Sequence, residues 1–281
     1  MISRATPAAR RRAAVLVLVA LAVAVTCTFL GRWQWHRHVA RDARADVVEA
    51  NWAAPPVTLD SVVPSVADEP VAAGEWRTVT ARGEYLADAT VLLRNRPVDG
   101  QPAYHVLVPF RVEGSDALLV VDRGWVPLGA DGQTVTDVPA PPSGTVDLVA
   151  RLRAPEAASE RSAPPGQVQN ANVAQVLAAG GLDPSDDPAG SPAAYRWYAQ
   201  LGSESPTAAM PLGSLPAPST DRGPHLSYAF QWWIFALAAL VAFGWMARRE
   251  LVDVAPPPPA PRRTGRRDED AEDALIDAQQ P

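Results

Sequence analysis

Two long apolar runs near opposite ends of the chain set its organisation. Residues 13–30 and 227–247 contain no charged side chain. At about 1.5 Å of rise per residue they reach about 27–32 Å as helices, which matches the hydrocarbon thickness of a bilayer. A cleaved signal peptide is the alternative for the first run, but no convincing small-residue cleavage site precedes Gly31. The pattern therefore predicts two transmembrane helices.

Basic residues predict the orientation of these helices. Arginines follow the second run at once and recur at 262–267, whereas few precede it. The positive-inside rule then places residues 248–281 in the cytoplasm. Two spans return the chain to its starting side, so residues 1–12 are predicted to be cytoplasmic and the central domain, 31–226, extracytoplasmic. The chain has no lysine and is rich in alanine and proline. This composition indicates a GC-rich bacterial coding sequence, and hence a bacterial plasma membrane as the location.

Between the two runs the polarity pattern predicts short strands and one helix. Strand-like alternation is found at 76–85, 90–98, 104–112, 117–121, 145–152 and 195–201. Asp99-Gly100 is a hairpin signal between two of these strands. Asn172 can cap a short helix that Gly180-Gly181 ends. The predicted fold is two transmembrane helices flanking an extracytoplasmic β-rich α+β domain, built on an antiparallel sheet or a small barrel.

Two further stretches are predicted to lie outside the packed structure. Residues 182–194 are rich in proline, aspartate and serine, which is typical of a surface excursion. Beyond the second apolar run, a stiff proline linker at 256–261 leads into a charged, acidic tail. That tail carries too few apolar residues to form a core, so we expect it to be disordered.

Composition and motifs argue against several classes of function. The net charge of −6 gives no support for the basic face that nucleic-acid binding needs. The single cysteine, Cys27, lies in the first apolar run, so the central domain can have neither a disulfide nor a catalytic thiol. The chain contains no Gly-x-Ser-x-Gly, His-Glu-x-x-His or phosphate-loop motif. We therefore expect that the protein is not an enzyme.

Dense polar and aromatic motifs border the inner ends of both apolar runs. Residues 31–38 follow the first run, and residues 224–233 lead into the second. If both runs span a bilayer, the two motifs emerge on the same side. Trp33, Trp35 and a Trp232-Trp233 pair then fall at one interface, as tryptophans commonly do.

His225 is the candidate ligand within this layer. Tyr228 and Trp232 follow it at i+3 and i+7, on the same face of a helix. An imidazole at that depth can bind a metalloporphyrin iron, and Arg32 or Arg37 can pair with the propionates. The plain alternative is that His225 only anchors the helix at the membrane surface.

These motifs together resemble the SURF1 family of cytochrome c oxidase assembly factors. The resemblance rests on segments in the same order along the chain: Leu30-Gly31-Arg32-Trp33-Gln34, Leu93-Arg94-Asn95-Arg96-Pro97, Gly100-Gln101-Pro102-Ala103-Tyr104, Val121-Asp122-Arg123-Gly124-Trp125 and His225-Leu226-Ser227-Tyr228. Residues 155–218 and the acidic tail depart from the family pattern, and both lie outside these motifs.

The resemblance implies a non-catalytic role in assembling haem-copper cytochrome c oxidase, around the insertion of haem a into subunit I. Subunit I and the haem a synthesis machinery are the implied partners. His225 holds the position of a histidine linked to haem a in bacterial members, and Tyr228, Gln231 and Trp232 would shape the pocket. The alternative is a scaffold that binds an oxidase folding intermediate and no haem. An unrelated membrane-anchored enzyme is a third possibility, for which the sequence offers no catalytic constellation.

Overall fold

A computed structural model describes residues 6–129, 137–182 and 193–252. They form two compact units. The helical unit contains residues 6–38 and 224–252, and the β unit contains Val39–Gly223. The predicted proline linker and acidic tail, and most of the predicted excursion at 182–194, lie outside the described residues.

The helical unit is a pair of long apolar helices. Helix α1 is Pro7–Trp52, whose first part belongs to this unit, and helix α4 is His225–Val252. Both are long and apolar enough to cross a membrane. This confirms the two predicted helices, whereas their orientation and the span boundaries stay predictions. Helix α1 continues beyond the first apolar run and ends at Trp52, shortly before Pro55-Pro56.

Small side chains form the contact between α1 and α4. The buried residues of the pair are almost all small: Ala20, Ala24, Cys27 and Gly31 of α1, and Ala229 and Ala236 of α4. Large apolar side chains such as Leu18, Phe29 and Ile234 are exposed. Helices in lipid pack in this way, because small residues let the backbones approach and large ones can face the acyl chains.

In the part of the chain that the structure describes, eight strands build the β unit. They are β1 (Val57–Thr58), β2 (Thr78–Tyr85), β3 (Val91–Leu93), β4 (Ala103–Val112), β5 (Leu118–Pro127), β6 (Val146–Arg153), β7 (Gln167–Val168) and β8 (Ala194–Ser205). Two short helices, α2 (Leu59–Val62) and α3 (Val173–Ala179), complete it together with two 3-10 turns. The predicted β-rich α+β domain is confirmed.

Five of these strands close into a ring. The order is β2-β6-β8-β5-β4, and β4 pairs again with β2. Gly83 makes the closure, because it pairs with Val146 of β6 and with Val112 of β4. A β-carbon at Gly83 would overlap the Arg111 carbonyl, so only glycine permits this close approach.

The sheet is mixed, whereas the sequence predicted antiparallel pairing. Within the ring, β5 and β8 run parallel and the other four pairs are antiparallel. The parallel pair exists because β8 returns only after a long connection that includes β6, β7 and α3. The predicted strand at 90–98 is shorter than expected, because Asn95 and Asp99 have positive φ angles and bend the chain.

Apolar side chains fill the ring and cover one outer face. The interior holds large buried residues, among them Val108, Phe110, Leu119, Leu148 and Trp197. Helix α3 packs Val176 and Leu177 against Leu107 and Leu118 on the outside of the sheet. The predicted cap of α3 is confirmed, since Asn172 Oδ1 accepts a hydrogen bond from the backbone N–H of Gln175 at 3.2 Å.

Candidate functional site

His225 has a defined position at the end of the helix pair where the apolar run of α1 ends and α4 begins. His225 is the first residue of α4 and is half-buried. Its Nδ1 lies 2.8 Å from Oε1 of Gln34, which is a half-buried residue of α1. The two residues are separated by 191 positions in the sequence. The site is therefore made by the packing of two helices.

Aromatic rings surround this end of the helical unit. Trp35 of α1 and Trp233 of α4 have ring centroids 6.1 Å apart, and Phe230 meets Trp233 edge-on at 5.6 Å. Gly31 faces the Trp233 indole so closely that a β-carbon there would overlap the ring. Aromatic contacts of this kind hold the two helices in register beside His225.

The arginines predicted to meet propionates lie on the exposed part of α1. Arg32 and Arg37 are both exposed. The Arg37 guanidinium lies 5.1 Å from the centroid of the Trp33 ring, a cation–π distance. Both cations are therefore accessible to an anionic group at this end of the helix.

The three predicted pocket residues of α4 are placed differently from one another. Tyr228 is exposed and stands one turn after His225. Trp232 packs towards Ala24 and Cys27 of α1, about two turns further along. Gln231 is exposed and projects about 120° around the helix from His225, because it is six positions away. The structure thus brings His225 together with Gln34 and does not bring it together with Gln231.

A buried ionic cluster in the β unit was not anticipated from the sequence. Arg123 and Glu204 are joined at 2.7 Å, and their side chains are only 2% and 7% exposed. The Tyr85 hydroxyl donates to Glu204 at 2.8 Å. Burial is the main cause that raises the pKa of Tyr85 well above its usual range, with the adjacent Glu204 carboxylate adding to it. A polar pair within an otherwise apolar strand was the only sequence signal for this cluster.

A second polar pair, of buried Asp122 and half-buried His105, joins β4 and β5 on the outside of the ring. His105 Nδ1 lies 2.8 Å from Oδ2 of Asp122, and the backbone N–H of Gly124 donates to Oδ1 at 3.3 Å. Burial raises the pKa of the Asp122 carboxyl, and the hydrogen bond from His105 opposes that shift. Tyr198 is buried on the same outer face, and burial raises its pKa to about 12. His105 is opposite Trp125 in the antiparallel β4–β5 ladder.

The donor chemistry of the helical unit fits a haem. Among the described residues no three His, Cys, Asp or Glu side chains are grouped as a metal site. A haem iron needs little from the protein, since the macrocycle supplies four nitrogens and one histidine can complete the attachment. His225 offers that imidazole. Its Nε2 is covered by neighbouring groups, so side chains at this end of the helix pair must move before a macrocycle can reach it.

Comparison with known proteins gives the family. The model of the SURF1 family matches residues 21–237, which include both residues of the Gln34–His225 bond. The chain belongs to the SURF1 family. SURF1-like proteins of Mycobacterium bovis and of two Mycobacterium tuberculosis strains are 36% identical to it over 245 residues, which is 83% of this chain and 84% of each relative. Members of the SURF1 family are oxidase assembly factors and are generally non-catalytic.

Proposed function

We propose that this SURF1-family protein is a non-catalytic assembly factor that holds haem a for insertion into subunit I of haem-copper cytochrome c oxidase. The observation that carries the proposal is the imidazole of His225, fixed by Gln34 at the aromatic end of the helix pair. Haem a is the cargo of the protein. Subunit I and the haem a synthesis machinery are its partners.

The residues of the helical unit have distinct parts in this proposal. His225 supplies the iron ligand, and Tyr228 flanks it one helical turn away. Arg32 and Arg37 supply cations for the propionates, with which arginine forms strong charge-assisted hydrogen bonds. Trp232 supports the helix contact through Ala24 and Cys27. Gln231 lies on another face of α4 and has no part in the proposed site.

The proposed location is a bacterial plasma membrane. Arginines at 10–12 and at 248–249 lie near the outer ends of the two apolar helices. The positive-inside rule then favours cytoplasmic termini, with the β unit and His225 on the extracytoplasmic side. Haem a would then be held at the extracytoplasmic surface of the membrane.

The test is a visible spectrum of the full-length protein. It is co-expressed with a haem a-synthesising system, extracted in detergent and purified as wild type, His225→Asn and His36→Ala. Asparagine keeps an N–H donor for Gln34 but is a poor iron ligand, so the helix contact is retained. We expect a stoichiometric haem a band in the wild type and in His36→Ala, and its loss in His225→Asn. A band that persists in His225→Asn would contradict the assignment.

One observation favours a second function, a scaffold that binds an oxidase folding intermediate without haem. The covered Nε2 and the bond to Gln34 are also what a purely structural tie between α1 and α4 would show. In that case neither the wild type nor any variant carries haem a. His225→Asn would then still support oxidase assembly when it replaces the wild-type protein in its host.

A further inference from the structure

We propose that Gln34 is a positioning residue for His225: it fixes the imidazole tautomer so that Nε2 is the coordinating nitrogen. The inference rests on the proposed function, because it concerns how the cargo ligand is prepared. Gln34 belongs to the family-like segment Leu30-Gly31-Arg32-Trp33-Gln34, and the inference assigns it a chemical task that the motif alone does not give.

The bond itself determines the tautomer. Gln34 Oε1 lies 2.8 Å from His225 Nδ1, a distance typical of a well-formed N–H···O hydrogen bond. An amide oxygen has no proton to donate, so the proton of the bond must be on Nδ1. In the neutral ring the lone pair then belongs to Nε2. Neutral imidazole with one protonated nitrogen is the form that binds iron.

The position of Gln34 in α1 explains why it can reach this ring. Cys27, Gly31, Gln34 and His38 follow one another at spacings of four, three and four, so they share one face of α1. Cys27 and Gly31 are buried, and Gln34 and His38 are half-buried. Gly31 lets Trp233 of α4 lie directly on the α1 backbone. The two helices are therefore close at the point where the amide crosses to His225.

A glutamine on this apolar face would be costly without a partner. An amide that loses its hydrogen bonds to water on burial destabilises the protein unless a protein group replaces them. The bond to His225 satisfies the oxygen and restrains the ring at the same time. The partners of metal-binding histidines commonly act in this way, and their loss lowers metal affinity by about 10–100-fold.

The decisive measurement needs no haem. Full-length protein labelled with ¹⁵N-histidine is studied by NMR in detergent micelles, and the His225 signals are identified by their loss in His225→Asn. We expect the proton of the neutral His225 ring on Nδ1 in the wild type. Gln34→Leu should abolish this preference, whereas Gln34→Glu should preserve it because a carboxylate is also an acceptor.

Gln231→Leu is the matched control, since it makes the same substitution on another face of α4. It should leave the His225 signals unchanged. A wild-type ring protonated on Nε2, or a Gln34→Leu protein with an unchanged tautomer, would overturn the proposal.

A haem a titration of the same variants separates this inference from the proposed function. We expect Gln34→Leu to bind haem a about 10–100-fold more weakly than the wild type, and Gln34→Glu and Gln231→Leu to stay close to it. Equal affinity in Gln34→Leu would refute the positioning role. If the tautomer is as expected but the wild type binds no haem a, the proposed function fails and the bond is a tie between helices.

Discussion

The carboxylate of Glu204 accepts three side-chain hydrogen bonds inside the β unit. Arg123 donates to it through Nε at 3.3 Å and through a terminal nitrogen at 2.7 Å, and Tyr85 donates at 2.8 Å. Both charged side chains are almost fully buried. A pair of this kind contributes little net stability when intact, but removing one partner leaves a buried charge without compensation.

Glu204→Ala should therefore lower the free energy of unfolding by about 3–5 kcal/mol. The matched control is Glu113→Ala, because Glu113 pairs with Arg82 on the surface, where both side chains are about 60% exposed. The control substitution should lower the free energy of unfolding by about 1 kcal/mol or less. Urea unfolding of the detergent-solubilised protein, followed by tryptophan fluorescence, measures both. Equal losses in the two variants would contradict the role given to the buried pair.

Asp122 predicts a pH dependence of stability. Burial raises its pKa, so the folded protein binds this proton more tightly than the unfolded chain, in which aspartate has a pKa of about 3.9. The contribution of Asp122 to stability is therefore complete below about pH 4 and is lost as the pH rises through the folded-state pKa. Asp122→Asn keeps an acceptor for His105 and removes this titration.

We expect the stability of Asp122→Asn relative to the wild type to increase as the pH rises from 4 to 7. Urea midpoints at several pH values provide the comparison. Asp88→Asn serves as the reference, because Asp88 is an exposed surface carboxylate. A constant difference between Asp122→Asn and the wild type over that range would show that the buried carboxyl does not titrate differently in the folded state.

At the scale of elements, the contact between α1 and α4 depends on side-chain size. Gly31→Leu would place a large side chain where Trp233 lies, whereas Gly244→Leu enters open space on α4. We expect Gly31→Leu to separate the helices and Gly244→Leu to leave them paired. Cys27 and Ala236 belong to one buried cluster, so an Ala236→Cys background can report the pairing by oxidative cross-linking to Cys27.

The cross-link between Cys27 and the new cysteine at 236 should form efficiently when Gly31 is unchanged, and also in the Gly244→Leu variant. It should form poorly in the Gly31→Leu variant. A leucine at position 31 should destabilise the helix pair more than a leucine on the helix surface, because the close contact between the helices has no free volume for it. An undiminished cross-link in Gly31→Leu would show that the contact at Gly31 is not needed for the helices to pair.

Local sequence predicted the elements better than it predicted their partners. Period-two alternation located all six expected strands, and Asn172 with Gly180 located α3, because these signals are local. Strand β8 extends to Ser205 although residues 202–205 are polar or glycine, since they pair with β6 from Asp147 onwards. Alternation specifies which side chains share a face and gives no information about which strands meet.

The candidate site shows the same contrast between local signals, which the sequence gives, and long-range contacts, which it does not give. His225 could be proposed from its place at the start of an apolar run, because that signal lies within a few residues. Gln34 could not be paired with it, since 191 positions separate the two. The family resemblance implies Gln231 in the pocket, whereas the pitch of α4 places it about 120° around the helix from His225.

At the scale of the whole molecule, distant parts of the chain are joined by charge as well as by packing. Within the β unit, Arg222 lies close to three carboxylates on the last part of α1: Asp42, Asp46 and Glu49. The pKa of the Arg222 guanidinium is raised, mainly by its hydrogen bond to Asp46. The carboxylates recur at i, i+4 and i+7, so one face of the helix presents all three to the same guanidinium. Because Arg222, Asp46 and Glu49 are exposed, salt should weaken the association.

The closed ring of strands has a consequence for how the chain is made. β8 lies between β5 and β6, and it is the last strand among the described residues. Until Ser205 has been synthesised, β5 and β6 each have an unpaired edge that can join another chain. The chain as far as Ser205 must therefore emerge before the ring can close. The nascent protein is thus expected to depend on chaperones over most of its synthesis, and any truncation ahead of β8 should yield an aggregating product.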